Sequence, residues 1–472
     1  MAFTPTSHLN PTMFDESTTP REVGLTPPRS RTAPGPRGPI SAWGLMRDPL
    51  VFLGKAFSRY GDVVHLRFFN LEVFAIAHPD GIKHALQENH RNYTKSFDYQ
   101  ILARLLGNGL VTSEGELWLR QRRLMQPMFH KQKIAAFGAM MTECASAMVE
   151  RWDARAESGE AFDVTPEMMR LTLQIVGRAL LTMDLTTHAD HIGRDMTTAN
   201  ERFAQFDLGI MLPWLPTPAN LRFNRAVREL RSLVLDIIAK RRAEGRDYGD
   251  LLSMLLAVRD EETGEGMNNE QLRDEMLTLI LAGHETTATA LSWIWYLLSQ
   301  HPEVEAKLHA ELDAVLGGRA PTMADLASLS YTGMVVDESM RIFPPVWAVG
   351  RAAIADDEIM GYHIPKGSNL MLSQYYAHRH RDFWEEPERF DPERFSPERA
   401  GGRPRYAFFP FGGGPRMCIG NIFALTEAQL ILATVAQRYR LRLVPKHPIE
   451  VNPLVTLRAR YGVKVTLERR GH

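Results

Sequence analysis

Phe411-Gly412-Gly413-Gly414-Pro415-Arg416-Met417-Cys418-Ile419-Gly420 sets one of the chain's two cysteines in a glycine-rich loop, with an aromatic residue before it and a cation two residues away. A helical pattern follows from Asn421. A helix N-terminus carries partial positive charge and favours a thiolate placed against it. Glycines permit tight turns and bring backbone N–H groups close to a sulfur. These features lead us to expect a lowered thiol pKa. A thiolate held this way can be a metal ligand, a nucleophile or a redox centre. The second cysteine, in Met140-Met141-Thr142-Glu143-Cys144-Ala145, has no such surroundings and reads as core or helix surface.

The loop sits in a chain of 472 residues, 44% hydrophobic and 24% charged, with a net charge of -1. That length can bury a large core. The charge balance gives no sign of nucleic-acid binding. Two cysteines exclude a disulfide scaffold, a four-thiolate iron–sulfur cluster and a cysteine-rich zinc site. They fit reduced surroundings, and a cytoplasmic location is expected. Residues 1–33 are rich in Pro, Thr and Ser and read as a disordered or loosely attached arm, with residues 34–472 forming the domain. No signal or membrane anchor is expected. Residues 276–298 are long and apolar enough for a bilayer, but Gly283-His284-Glu285-Thr286-Thr287 interrupts them, which favours a helix through a protein core.

Hydrophobic periodicity predicts a mainly α protein with a minor β part, in one large domain. Residues 63–68 and 72–77 suit a hairpin around Asn70. Helices are expected over 302–316, 331–343 and 421–438. Asn268 or Asn269 caps the longest one, which ends near Gln300 before Pro302. A helix that long and apolar must cross the middle of the molecule.

The ten-residue loop resembles the haem-ligand signature of the cytochrome P450 family, and further family marks follow in order. Trp118-Leu119-Arg120-Gln121-Arg122 is similar to an early Trp-x-x-x-Arg. Ala282-Gly283-His284-Glu285-Thr286-Thr287 resembles the oxygen-activation motif of a central helix. Glu338-Ser339-Met340-Arg341 resembles Glu-x-x-Arg, and Phe390-Asp391-Pro392-Glu393-Arg394-Phe395 resembles the arginine-bearing meander.

The resemblance implies haem b between the long central helix and the cysteine loop, with Cys418 as the iron ligand. It implies Arg416, Arg122 and Arg351 as propionate partners, with Trp118, Phe411, Gly412 and Gly420 around the cofactor. Thr286 and Glu285 would deliver protons for O2 activation, and Gly283 would leave room over the haem. His284 would point away. Glu338, Arg341 and Arg394 would form a structural triad. The substrate pocket would include Phe97, Phe203, Phe206, Ile280, Ala282, Val346, Trp347, Val349 and Val455, and residues 208–216 would form a lid.

The implied activity is hydroxylation or epoxidation of a hydrophobic small molecule, such as a terpenoid, fatty acid or polyketide-like compound. Oxidative coupling or isomerisation on the same fold, or a non-catalytic haem-binding sensor, are the alternatives. Residues 419–472 are too few for a flavin domain. Electrons from NAD(P)H would therefore come through a ferredoxin or flavodoxin with its reductase, steered by Arg120, Arg122, Arg123, Lys131, Lys133, Arg403 and Arg405. A monomer is expected.

Overall fold

The computed structural model of the protein describes residues 31–36, 40–68, 71–183, 202 and 214–471. The long apolar run becomes one helix, Asn269–Gln300. Asn268 accepts from the Gln271 backbone N–H, and the Gln271 side chain accepts from the Asn268 N–H. This reciprocal cap satisfies two donors that a helix start leaves unpaired. Its 32 residues rise about 48 Å at ~1.5 Å each. Helices Val164–Leu181, Pro218–Glu244, Ser330–Ile342 and Asn421–Arg438 pack around it. Near its C-terminal end Trp293 is buried, stacked on Phe343 with ring centroids 3.9 Å apart. Its indole N–H donates to the Leu457 carbonyl at 2.6 Å, so the helix also holds the C-terminal turn.

A five-stranded sheet lies to one side, in the order Val63–Phe68, Leu71–Ile76, Asn369–Leu372, Val349–Ala353, Tyr93–Thr94. The first two strands form the expected antiparallel hairpin, and the second runs parallel to Asn369–Leu372. A smaller sheet of Phe162–Asp163, Lys464–Arg469 and Tyr439–Leu443 joins the C-terminal strands to the helical core. Arg31 exchanges backbone hydrogen bonds with Gly361 and His363, and Ala33 is buried.

Glu338 and Arg341 share one face of helix Ser330–Ile342 and are both fully buried. The Arg341 Nε and one terminal nitrogen bind the Glu338 carboxylate at 2.6 and 2.8 Å. The other terminal N–H groups reach the carbonyls of His378, Pro387 and Arg389. All five guanidinium N–H donors therefore have acceptors. Arg394 lies 3.4 Å from Glu338 and donates to the Glu386 carbonyl, while the Asp391 N–H donates to Glu338. The three residues of the expected triad are thus brought together, with the meander wrapped on them.

The connection continues to the cysteine loop. Nε2 of buried His378 accepts the Phe409 N–H at 2.9 Å. Burial beside Arg341 and Arg379 holds His378 well below its ordinary pKa, so it is neutral and able to accept. Phe409 in turn accepts the Gly412 N–H.

Removing Arg341 leaves buried Glu338 without its bidentate partner, with Arg394 at 3.4 Å as the remaining cation. R341A is expected to cost about 3–5 kcal/mol in chemical denaturation. R341K, with three donors instead of five, should also fall well short of wild type. Wild-type stability in R341K would show that the planar fork is not required.

Candidate active site

Cys418 lies on the loop leading into helix Asn421–Arg438, for which Gly420 is the N-cap. The loop closes on itself: the Cys418 N–H donates to the Phe411 carbonyl at 2.9 Å. Gly414 has φ +63°, and a Cβ there would stand 1.7 Å from the Leu86 carbonyl oxygen, so only glycine fits. Cys418 is exposed as a residue and lines a cavity of about 340 Å³.

Across the cavity stands the middle of the central helix, with Leu279, Ala282, Gly283, Thr286, Thr287 and Ala290 on the wall. Ala282 is exposed although it sits mid-helix in the core, because it faces this space. Val346 and Val349 line the cavity as expected, as do Trp118, Phe411, Gly412 and Gly420.

The lining includes four cationic side chains, Lys95, Arg122, Arg351 and Arg416, and among the described residues no carboxylate. The Arg416 guanidinium carbon lies 3.7 Å from the Trp118 ring centroid, and the side chain pairs with Glu114 and donates to the Ser113 carbonyl. Arg122 donates to the Met417 carbonyl at 2.9 Å, and Arg351 to the Gly350 carbonyl. Lys95 donates to the carbonyls of Ser113 and Leu110 at 2.7 and 3.2 Å. Burial, with repulsion from Arg416, pulls the Lys95 ammonium down to about 7. Burial also lowers Arg122 and Arg416.

Burial pushes the Cys418 thiol up, against the opposing pull of the Gly420 backbone and Arg122. This reverses the expected lowering. The dry surroundings outweigh the helix end, and a thiolate here needs a coordinated cation for its charge. A planar apolar macrocycle bearing an iron and two carboxylates fits this donor set. It offers a metal to the thiol, apolar surface to the walls and two negative charges to four crowded cations.

The distal residues divide. Thr286 lines the cavity with its hydroxyl donating to the Ala282 carbonyl at 2.6 Å. Glu285 turns away from it: it is buried against Arg458 at 2.8 Å and also accepts from the Thr456 hydroxyl. His284 points away too, with burial lowering its imidazole to about 4 and its carbonyl accepting from Thr172. A Cβ on Gly283 would meet Val176 Cγ2 at 3.0 Å. The absent side chain thus admits helix Val164–Leu181, rather than only clearing space over a cofactor.

Four expected pocket residues do not line the cavity. Ile280 is buried in the core one position past Leu279, which lines it instead. Trp347 packs against the cluster of Leu53 and Val64, and its indole N–H donates to the Leu454 carbonyl at 2.9 Å. Phe97 opens helix Phe97–Leu106 outside the lining, and Val455 sits on the turn beyond that carbonyl, 37% exposed. Phe203 and Phe206 lie outside the described residues, as does most of the expected lid. Sequence reasoning missed Lys95, His378 and Arg458, whose roles depend on partners distant in the chain.

Of the expected docking cations, Arg123 is paired with Asp260 and Glu262, and Arg120 with Asp260. Arg403 stacks on Trp384 at 3.8 Å, while Lys131, Lys133 and Arg405 are exposed. Among the described residues no helix is long and apolar enough to cross a membrane.

A family model for cytochrome P450 matches residues 38–465. Cyclooctat-9-en-7-ol 5-monooxygenase of Streptomyces melanosporofaciens is 38% identical, covering 90% of this chain and 93% of that protein. Pentalenene oxygenase of Streptomyces avermitilis is 36% identical, covering 90% and 94%. Among solved structures, the haem domain of cytochrome P450DA superposes with a TM-score of 0.85 at 26% identity, covering 93% of this chain and 98% of that one.

The Lys95 shift predicts a pH signature for the cofactor-free protein. The unfolded chain keeps this proton up to about 10.4, whereas the folded one releases it near 7. The unfolded state therefore binds more protons between those values, and this lysine's contribution makes stability rise with pH across that window. The difference in stability between K95M and wild type, measured by denaturation from pH 7 to 10, should favour K95M most at pH 7 and shrink as pH rises. A pH-independent difference would refute the assignment.

Proposed function

The chain belongs to the cytochrome P450 family of haem-thiolate monooxygenases, and we propose that it hydroxylates a terpenoid hydrocarbon or alcohol. The carrying observation is the cavity wall itself. Leu110, Val111, Val176, Leu180, Leu251 and Leu279 give it apolar surface with few fixed polar groups. Such a lining recognises a ligand by shape and hydrophobic burial. The relatives named for oxidising cyclooctat-9-en-7-ol and pentalenene support a terpenoid over a fatty acid or polyketide.

The cofactors are haem b and O2, with electrons from NAD(P)H through redox partners. When bound, a cysteine-ligated haem supplies the iron that activates O2, the thiolate favouring O–O cleavage. Cys418 holds that iron in our reading. Lys95, Arg122, Arg351 and Arg416 would bind the propionates, with the Trp118 ring packed against the Arg416 guanidinium. Guanidinium suits this task because its fork matches a carboxylate.

Thr286 has a rotatable hydroxyl on the opposite wall. Released from the Ala282 carbonyl, it can donate a hydrogen bond into the cavity. Glu285, held by Arg458 and Thr456 behind that wall, is the neighbouring acid that relays protons to Thr286 in this reading. Lys131, Lys133 and Arg405 remain free to steer an acidic ferredoxin or flavodoxin. The enzyme works as a cytoplasmic monomer in this reading.

Two measurements test it. Cyclic terpene hydrocarbons and alcohols, titrated into the haem-loaded enzyme, should shift the iron from low to high spin and yield products one oxygen heavier. A panel in which only fatty acids do so would contradict the terpenoid assignment. T286A should keep substrate binding but lower product per NAD(P)H by roughly 10²-fold, in the range for removing a positioned proton donor. Unchanged coupling would remove Thr286 from proton delivery.

A further inference from the structure

We propose that Asp62, His78 and His380 form a binding site for a divalent transition-metal ion, of the zinc class, on the outer edge of the five-stranded sheet. One carboxylate oxygen and one nitrogen from each imidazole lie within 4.8 Å of one another. The three residues come from separate segments. Asp62 precedes strand Val63–Phe68, His78 is the N-cap of helix Pro79–Lys83, and His380 follows helix Gln374–Ala377.

The fold sets them in place before any ion arrives. In the hairpin Val63 pairs with Ile76, and the Ala77 N–H donates to the Asp62 carbonyl at 3.0 Å. This puts Asp62 beside His78. The Phe383 and Trp384 N–H groups both donate to the His380 carbonyl at 3.0 Å, closing the turn that presents its ring. The His380 Nε2 is 3.2 Å from Asp62, and the two imidazoles meet edge to face with centroids 5.3 Å apart. Phe383 packs on both rings, at 5.3 and 5.0 Å, and limits their rotation.

Each histidine also has the same backing. In His78-Pro79-Asp80 and in His380-Arg381-Asp382, Nδ1 accepts the backbone N–H two residues on, at 3.1 and 3.3 Å. The carboxylates of Asp80 and Asp382 lie 3.7 and 4.0 Å from those same nitrogens. Metal-bound imidazoles characteristically donate their other N–H to a carboxylate. To reach that arrangement each Nδ1 gives up the backbone N–H it accepts and takes the ring proton from Nε2. The ion takes the Nε2 lone pair, the ring proton resides on Nδ1, and the adjacent aspartate accepts it. Two imidazoles and one carboxylate leave a fourth position for water, a set that zinc accepts. The ordinary alternative is a proton: His380 is raised by its hydrogen bond to Asp62, and the pair would then be a plain ion pair.

The ion would clip the hairpin to the segment bearing His378, whose carbonyl accepts from Arg341. Haem-loaded protein, stripped with chelator, is titrated with Zn²⁺ by calorimetry, and retained zinc is counted after gel filtration. The expected result is one tight equivalent per chain, lost in H78Q and in H380Q. D80N and D382N, which keep all three ligands, should weaken binding about 10–100-fold. The haem spectrum reports that each variant is folded. Absence of a tight equivalent, or one that survives H78Q and H380Q, overturns the proposal and leaves Asp62–His380 as a proton-linked pair.

Discussion

One guanidinium, that of Arg341, has all five of its N–H groups consumed inside the protein and none exposed to water. A buried charge is tolerable only when its partners are complete. That condition fixes where the meander carbonyls of Pro387 and Arg389 must lie, and it fixes His378. Through the His378 ring and the Phe409 amide, the constraint reaches Gly412 and the loop of Cys418. The thiol's position is therefore set by an ion pair that never touches the cavity.

The opposite wall is fixed by packing rather than charge. Gly283 lets helix Val164–Leu181 press against the central helix, and this contact sets which face carries Ala282 and Thr286. Glu285 then falls on the flank, where Arg458 and Thr456 of the C-terminal turn region hold it. The same turn is anchored by two indoles, Trp293 on the Leu457 carbonyl and Trp347 on the Leu454 carbonyl. The acid beside Thr286 and the residues flanking Val455 therefore share one rigid support.

The features legible in the sequence are those whose physics is local. The Asn268 cap, the Glu338–Arg341 spacing and the glycines around Cys418 each act within a few residues, so a linear pattern carries them. The long central helix was also readable, because its apolar content and flanking breakers are local properties. What a side chain faces was not. Ile280 and Leu279 are neighbours, and only the packing of Val176 and other helices decides which one lines the cavity. Trp347 reads as pocket material until its indole finds Leu454. Lys95 and His378 carry no motif, because their partners are remote. The thiol's acidity was misjudged for the same reason: the helix end is visible in sequence, while the desolvation that outweighs it arises from the assembled cavity.

In the function proposed above, Cys418 would hold the iron of a haem seated between this loop and the central helix. The absorption spectrum of the reduced protein under carbon monoxide tests it most directly. The wild type should show the strongly red-shifted band of a thiolate-ligated haem, and C418S should lose it. Survival of that band in C418S would contradict it.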